Sequence, residues 1–167
     1  MSARKEDARR AATIDSCRLI TLDTHGDAST GTLSVIENGS IEGFVIRRVY
    51  FIYDVPAGVS RGHHSHKSLD QIIVALHGSF DITVDDGRDK RTYHMGNPSE
   101  GLLVVSGIWR SIDNFSPGAV CMVLASDIYE EGVAEPLNSK SLRIDYSRQT
   151  LKLSDSDRIF GSREFKI

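Results

Sequence analysis

The chain has few of the residues that would assign it to a special class of protein. Its 167 residues include two cysteines, four prolines and one tryptophan, and aromatic residues make up 7% of the total. Cys17 and Cys121 are too far apart in sequence to form a ligand-spaced zinc pair. Cys121 lies in the apolar run AVCMVLA, which indicates a small buried residue rather than a reactive thiol.

Strong charge and long hydrophobic runs are also lacking. The net charge of −3 is mild, so nothing in it indicates a nucleic-acid or membrane partner. The apolar runs are far too short to span a bilayer. The polar opening MSARKEDARRAA does not resemble a signal peptide, and we therefore expect a cytoplasmic protein with free thiols.

What the sequence does contain is a series of short segments rich in Val, Ile, Tyr and Phe, which favour β-strands. Asp86-Gly87 between two of them predicts a hairpin turn. Because no helical period interrupts the series, we predict an all-β domain over residues 14–135, a flexible segment over 1–13 and a tail over 136–167. The predicted strands are 17–22, 31–37, 44–55, 69–78, 79–86, 89–95, 101–107, 109–115 and 119–126.

The predicted strand 44–55 is unusual because both of its faces are apolar or aromatic. Tyr50 and Ile52 share one face, whereas Val49, Phe51 and Tyr53 share the other. A strand with one solvated face should alternate with polar residues. We therefore predict that a second subunit covers this face, in a homodimer with packed or swapped strands; the alternative is that the chain's own tail covers it.

The stretch RGHHSHKSLDQ carries three of the six histidines. His64 and His66, the position of Gln71 and the later Gly78 have the spacing of the first metal-binding motif of the cupins, which are jelly-roll barrels with a His-x-His pair, a Glu and a turn glycine. The resemblance implies a cupin fold, a double-stranded β-helix. Gln71 stands in the position of the Glu ligand, and a neutral amide is a weak metal ligand.

The second cupin motif normally supplies a third histidine ligand before an Asn. Here Arg110 stands at that position and Asn114 follows at the matching distance. A guanidinium stays protonated and cannot ligate a cation, so two histidines remain. We therefore predict that no metal binds at this site and that the imidazoles act as acids and bases on an anionic or carbonyl-bearing ligand.

Two longer segments resemble the nucleotide-linked sugar 3,4-ketoisomerases of the cupin superfamily. They are RRVYFIYDVPAGVSRGHHSHKSLDQIIVALHGSFDITVDDG and GLLVVSGIWRSIDNFSPGAVCMVLASDIYEE, and the resemblance covers residues 30–131. It implies an isomerase that converts a dTDP-4-keto-6-deoxyhexose into the 3-keto sugar during deoxysugar biosynthesis for bacterial surface polysaccharide, including lipopolysaccharide. The family also forms homodimers. The reaction proceeds through an enediol and needs no metal or redox cofactor, because hydrogen moves as a proton.

The resemblance implies a catalytic set of His64, His66, Tyr50 and Arg61. One histidine removes and returns the carbon-bound proton, while the other histidine and Tyr50 move the proton between the two oxygens. Arg61 would stabilise the enediolate or orient the sugar.

The substrate-binding residues that we predict are Arg48, Lys67, Gln71 and Arg110. Arg48 and Lys67 are candidates for contacts with the diphosphate. Arg110 would bind the sugar or enediolate, and in the family an arginine here is similar to the branch that makes the 3-keto-6-deoxyglucose product rather than its galacto epimer.

Three other functions remain as alternatives: a sugar-nucleotide 3,5-epimerase, a non-catalytic sugar-nucleotide-binding cupin and a metal-dependent dioxygenase. His63 should point away from His64 by strand alternation, so its loss should be mild. We expect His25, His77 and His94 to be ordinary structural or surface histidines.

Overall fold

The computed structural model describes residues 12–128 and the backbone of one further strand at 134–136. The predicted flexible segment 1–13 therefore lies outside the described residues except for its last two positions, and the predicted tail lies outside them except for its first. Within the described residues, no helix is long and apolar enough to cross a membrane.

The described chain is built almost entirely of β-strands, which confirms the predicted fold class. One short 3-10 turn, Ile14–Ser16, precedes the first strand. The strands are β1 (Arg18–Thr21), β2 (Asp23–Asp27), β3 (Gly31–Val35), β4 (Arg48–Ile52), β5 (Arg61–His66), β6 (Gln71–His77), β7 (Phe80–Asp85), β8 (Lys90–Met95), β9 (Glu100–Val104), β10 (Trp109–Asp113), β11 (Val120–Ala125) and β12 (Ala134–Pro136).

Ten of these strands form two antiparallel sheets that face each other. The first sheet has the order β1-β9-β6-β11-β4, and the second has the order β12-β5-β10-β7-β8. Strands β2 and β3 form a separate hairpin. Apart from the hairpin of β7 and β8, neighbours in each sheet are distant in sequence. The chain therefore crosses repeatedly between the sheets, as in the jelly-roll barrel of the cupins.

The sequence pattern placed most strands correctly. It failed where a strand is made of polar residues or where a positive φ angle ends a strand early. Strands β2, β5 and β12 have no counterpart in the predicted series, and β2 was missed because its residues, DTHGD, are polar and exposed. The long predicted strand 44–55 is shortened to Arg48–Ile52, and Asp54 has a φ of 54°, which is incompatible with an extended strand. The predicted hairpin at Asp86-Gly87 is confirmed, since β7 and β8 pair across it and Gly87 has a φ of 86°.

The main core fills the space between the two sheets. Alternate residues of β7 are buried there, as the burial pattern of Phe80–Asp85 shows. A second, smaller cluster lies on the outer face of the first sheet, where the segment before β4 covers it. Its buried members are Leu22, Phe44, Ile72, Val74, Leu103 and Leu124. Covering this outer face explains why β6 reads as a continuous apolar run.

Candidate active site

A buried arginine lies at the centre of the polar part of the barrel interior. Arg110 on β10 is directly opposite His64 on β5, so the antiparallel register brings the two side chains to one face. Only 3% of Arg110 is exposed to solvent. Burial lowers the pKa of its guanidinium and interaction with Tyr50 opposes that change. Within the described residues, no carboxylate forms an ion pair with it.

The guanidinium of Arg110 contacts both predicted imidazoles. Its Nη2 atom lies 3.2 Å from Nε2 of His64 and 3.3 Å from Nε2 of His66. Its Nη1 atom donates to the main-chain oxygen of His64 at 3.3 Å. The arginine therefore occupies the space on which a cupin's metal ligands converge. In the part of the chain that the structure describes, no group of three or more His, Cys, Asp or Glu side chains is arranged to hold a metal ion.

The two imidazoles form a close pair with an edge-on arrangement. Their Nε2 atoms are 3.1 Å apart, and the ring planes make an angle of 82°. Nδ1 of His64 lies 2.8 Å from the carbonyl oxygen of Gly62, which can only accept a hydrogen bond. His64 in its neutral form therefore carries its proton on Nδ1, and its Nε2 lone pair faces Arg110 and His66.

Both rings are held in the neutral form at ordinary pH. Burial lowers the pKa of His64, and the nearby charge of Arg110 lowers it further. The same two causes, with burial the larger, lower the pKa of His66 to about 3. An imidazole that stays unprotonated near neutral pH has a lone pair available to accept a proton from carbon.

The first sheet contributes a tyrosine and a glutamine to the same cavity face. Nε2 of Gln71 on β6 donates to the hydroxyl oxygen of Tyr50 on β4 at 2.9 Å. Gln71 is only 1% exposed, and its Oε1 atom has no hydrogen-bond partner among the described residues. The guanidinium carbon of Arg48 lies 5.2 Å from the centre of the Tyr50 ring, within range of a cation–π contact.

The structure thus brings together six of the eight residues that the sequence singled out. Arg61 and Lys67 differ from the rest. Arg61 is exposed and lies opposite Ile112 rather than Arg110, and its side chain forms no hydrogen bond or ion pair to any described residue. Lys67 is exposed just beyond the end of β5. Arg61 begins β5 and Lys67 follows its last residue, so these two residues flank the imidazole pair along the chain.

His63 is separate from the pair, although the reason differs from the predicted alternation. It has a φ of 58° and stands at an irregularity of β5, where Nε2 of its ring lies 2.6 Å from Oγ of Ser60. Its ring centre is 5.8 Å from that of Trp109.

The remaining described histidines lie outside the site. His25 and His94 are exposed partners of Asp23 and Asp81, respectively, and His77 is exposed at the end of β6.

Two residues of the site were given no functional role by the sequence. Gly62 was not singled out for one, yet its carbonyl determines which nitrogen of His64 carries the proton. Cys121 was expected in the core, and it is fully buried as expected. Burial raises the pKa of its thiol to about 12, while the charge of Arg110 partly opposes this. The glycine left a detectable signal, because a glycine two residues before a His-x-His pair permits a backbone turn there.

The chain is similar in sequence to a protein family and to a curated enzyme. The family described as WxcM-like, C-terminal (FdtA) matches residues 15–133. The chain belongs to this family. It is also 41% identical over 103 residues to the TDP-4-oxo-6-deoxy-alpha-D-glucose-3,4-oxoisomerase of Aneurinibacillus thermoaerophilus, an alignment that covers 62% of this chain and 74% of that relative. The family match ends one residue before β12 begins.

Solved structures of 3,4-ketoisomerases share the fold. The TDP-quinovose 3,4-ketoisomerase WlaRB of Campylobacter jejuni superimposes with a TM-score of 0.70 at 35% identity, covering 74% of this chain and 95% of that one. A 3,4-ketoisomerase of Helicobacter canadensis gives a TM-score of 0.68 at 35% identity, with 72% and 90% covered. The similarity therefore extends over nearly the whole length of these relatives.

A more distant likeness shows the fold alone. The dTDP-4-dehydrorhamnose 3,5-epimerase of Bacillus anthracis is 20% identical with a TM-score of 0.67, covering 90% of this chain and 95% of that one. This likeness confirms the barrel fold but does not indicate which reaction is catalysed. The reaction must be inferred from the site residues, which in this WxcM-like chain are two paired imidazoles and an arginine.

Proposed function

We propose that this WxcM-like protein is a sugar-nucleotide 3,4-ketoisomerase that moves the ketone of a dTDP-linked 4-keto-6-deoxyhexose from C4 to C3. The observation that carries the proposal is the pair of neutral imidazoles held against a buried arginine that has no carboxylate partner among the described residues. The curated relative named as a TDP-4-oxo-6-deoxyglucose 3,4-oxoisomerase supports the same reaction class.

The reaction transfers two protons and no electrons to or from the protein. A base removes the proton from C3, the C4 oxygen accepts a proton as the enediol forms, and the enediol then loses the proton of its C3 oxygen while C4 is protonated. His64 and His66 provide neutral imidazole nitrogens within reach of one another. One of them exchanges the carbon-bound proton, and the other exchanges the oxygen-bound proton together with Tyr50.

Arg110 provides the charge that the enediolate needs. A buried cation without a counter-ion is unfavourable, and a developing negative charge on the sugar oxygens would relieve that cost in the transition state. Burial keeps water away from the guanidinium, which strengthens its interaction with the oxyanion. Gln71 contributes by holding the hydroxyl of Tyr50 in the cavity.

The nucleotide would bind towards the periphery of the site. We infer that Arg48, Lys67 and Arg61 supply positive charge for the diphosphate, because all three flank the imidazole pair in sequence or across the sheets and cations favour phosphate. A QdtA variant from Thermoanaerobacterium thermosaccharolyticum, 32% identical to this chain, was solved in complex with TDP-4-keto-6-deoxyglucose, which supports a ligand of this class.

The direct test incubates the protein with dTDP-4-keto-6-deoxyglucose in deuterated water and follows the sugar by NMR. A carbonyl signal that moves from C4 to C3, with deuterium entering at C4, is the expected outcome. Inversion at C5 would instead identify an epimerase, and binding without deuterium incorporation at either carbon would identify a binding protein. The configuration at C4 of the product reports whether Arg110 favours the gluco product, as we propose.

We further propose that the protein is a homodimer that uses the outer face of β4. Val49, Phe51 and Tyr53 on that face are 47%, 52% and 63% exposed. An apolar row of this kind on an edge strand is typical of an interface.

Sedimentation measurements test the dimer. Phe51→Asp should yield a monomer, whereas Thr92→Asp, which also adds an acidic residue to an exposed sheet face, should remain dimeric. A dimeric Phe51→Asp variant would eliminate this face as the interface.

The proposed reaction uses a nucleotide-activated sugar, so we place the protein in the cytoplasm and its product in surface-polysaccharide synthesis.

A further inference from the structure

Strand β5 is irregular immediately before the imidazole pair. On the neighbouring strand β10, Arg110 pairs with His64 and the next residue, Ser111, pairs with Gly62. His63 is therefore an extra residue with no opposite partner, which defines a β-bulge. Gly62 and His63 both have positive φ angles, 85° and 58°.

The conformation at position 63 is uncommon for a residue with a side chain, and local contacts hold it there. Non-glycine residues with positive φ are rare, although histidine, asparagine and aspartate are enriched among them. Oγ of Ser60 lies 2.6 Å from Nε2 of His63, and the His63 ring packs beside that of Trp109. At position 62 a side chain would be difficult to accommodate, since an added Cβ would lie 3.0 Å from the main-chain oxygen of Arg110.

The bulge changes the direction of one carbonyl group. In a regular antiparallel strand, the carbonyl of residue 62 would point towards a neighbouring strand and not towards the side chain of residue 64. In this structure it lies 2.8 Å from Nδ1 of His64. Since a carbonyl oxygen only accepts, the proton of neutral His64 must be on Nδ1.

We propose that Gly62 and His63 are positioning residues, whose bulged backbone fixes the tautomer of His64 and so keeps its Nε2 lone pair directed at His66 and Arg110. With the opposite tautomer, the Nε2 proton would point at two groups that are themselves donors or potential donors. This inference rests on the proposed function for its consequence in catalysis, whereas the tautomer itself is independent of any reaction.

The inference also revises the expectation that the loss of His63 is mild. Substitutions that tolerate a positive φ should indeed be mild, because the carbonyl of Gly62, and not the imidazole of residue 63, contacts the His64 ring. A β-branched residue strongly disfavours positive φ. It should straighten the strand and release the Gly62 carbonyl.

The tautomer can be measured directly by 15N NMR of imidazole-labelled protein, with the His64 signals assigned from a His64→Gln variant. The wild-type protein and His63→Asn should both show a protonated Nδ1 and an unprotonated Nε2 at His64. His63→Val should show a mixture of the two tautomers. Its kcat should fall roughly 10–100-fold, by analogy with the loss seen when the hydrogen-bond partner that orients a metal-binding histidine is removed, while the Kd for dTDP stays unchanged.

The design separates misfolding from mispositioning. If His63→Val does not fold, as judged by circular dichroism, then His63→Ala serves in its place, because alanine also disfavours the positive φ of residue 63 but is smaller and not β-branched. A wild-type His64 that carries its proton on Nε2 would overturn the inference, as would a folded His63→Val that keeps the proton wholly on Nδ1. If the tautomer is as expected but no ketone moves, the proposed function fails while the positioning role stands.

Discussion

The two halves of the barrel interior are built from the same strands but differ in chemistry. On β10, Arg110 faces the imidazole pair, whereas Ile112, two residues later on the same face, is part of the apolar core. On the first sheet, Gln71 and Tyr50 continue the polar half. The apolar half includes Phe80, Ile82, Met95 and Leu102, all of them fully or almost fully buried.

This difference shows how the fold divides stability from chemistry. The apolar half removes hydrocarbon surface from water, which is the main source of folding free energy. The polar half buries a guanidinium and two imidazoles, which costs desolvation free energy that only hydrogen bonds and a ligand can offset. We therefore expect substitutions in the polar half to change activity and substitutions in the apolar half to change stability.

The largest effect is expected from the imidazole pair. His66→Ala removes a proton-transfer group, so the rate of isomerisation should fall by about 10²–10⁴-fold, the usual contribution of general acid–base catalysis. The affinity for dTDP, measured by isothermal titration calorimetry, should remain within a small factor of the wild-type value. Turnover at the wild-type rate would remove His66 from the mechanism.

Arg110→Met should separate the two halves most clearly. The variant keeps much of the side-chain volume but loses the charge, and we expect kcat to fall by about 10²–10³-fold, as when one oxyanion donor is lost. The melting temperature should be unchanged or higher, because replacing a buried charge by an apolar group is often neutral or stabilising. If Arg110→Met lost much of its stability but kept the wild-type kcat, the polar half would be needed for stability rather than for activity, contrary to our expectation.

Ile112→Ala tests the opposite half on the same strand. Removing this buried side chain leaves a cavity and should lower the free energy of unfolding by about 2–5 kcal/mol. Urea denaturation measures that loss, and kcat at a temperature where the variant is fully folded should equal that of the wild type. A matched fall in kcat would show that the two halves are coupled.

The smallest expected effect is a pH dependence of stability. The folded pKa of His66, about 3, lies below the ordinary value of 6.5, so the unfolded chain takes up the proton first as the pH falls. The stability is complete above about pH 6.5 and decreases as the pH falls towards 3.

Between about pH 6.5 and pH 5 we expect His66 to contribute a loss of about 1 kcal/mol after allowing for the partial exposure of the ring, and the total loss should be smaller in His66→Gln, where the lowered pKa of His64 alone remains. Urea unfolding of both proteins at the two pH values measures it. Equal pH dependence in the two proteins would mean that His66 is not the group responsible.

The sequence predicted those features of the structure that depend on residues close together in the chain. Alternating Val, Ile and Phe residues predicted β7 and the hairpin after it, because period-two burial and the turn at Asp86-Gly87 are local. The resemblance to the two cupin motifs predicted that His64 and Arg110 share one site, and the two residues do pair across β5 and β10. Strand β2 was missed since its residues are polar on both faces and its pairing with β3 gives no hydrophobic pattern.

The sequence by itself determined the all-β class, the imidazole pair and the arginine that stands where a cupin has its metal ligand. These follow from residue type and spacing. Only the tertiary structure decided that Gln71 holds Tyr50, that Arg61 lies away from Arg110, and that Gly62 fixes the tautomer of His64. Such features depend on backbone direction and on contacts across strands, and an extra residue at a bulge reverses the alternation that the sequence alone would predict.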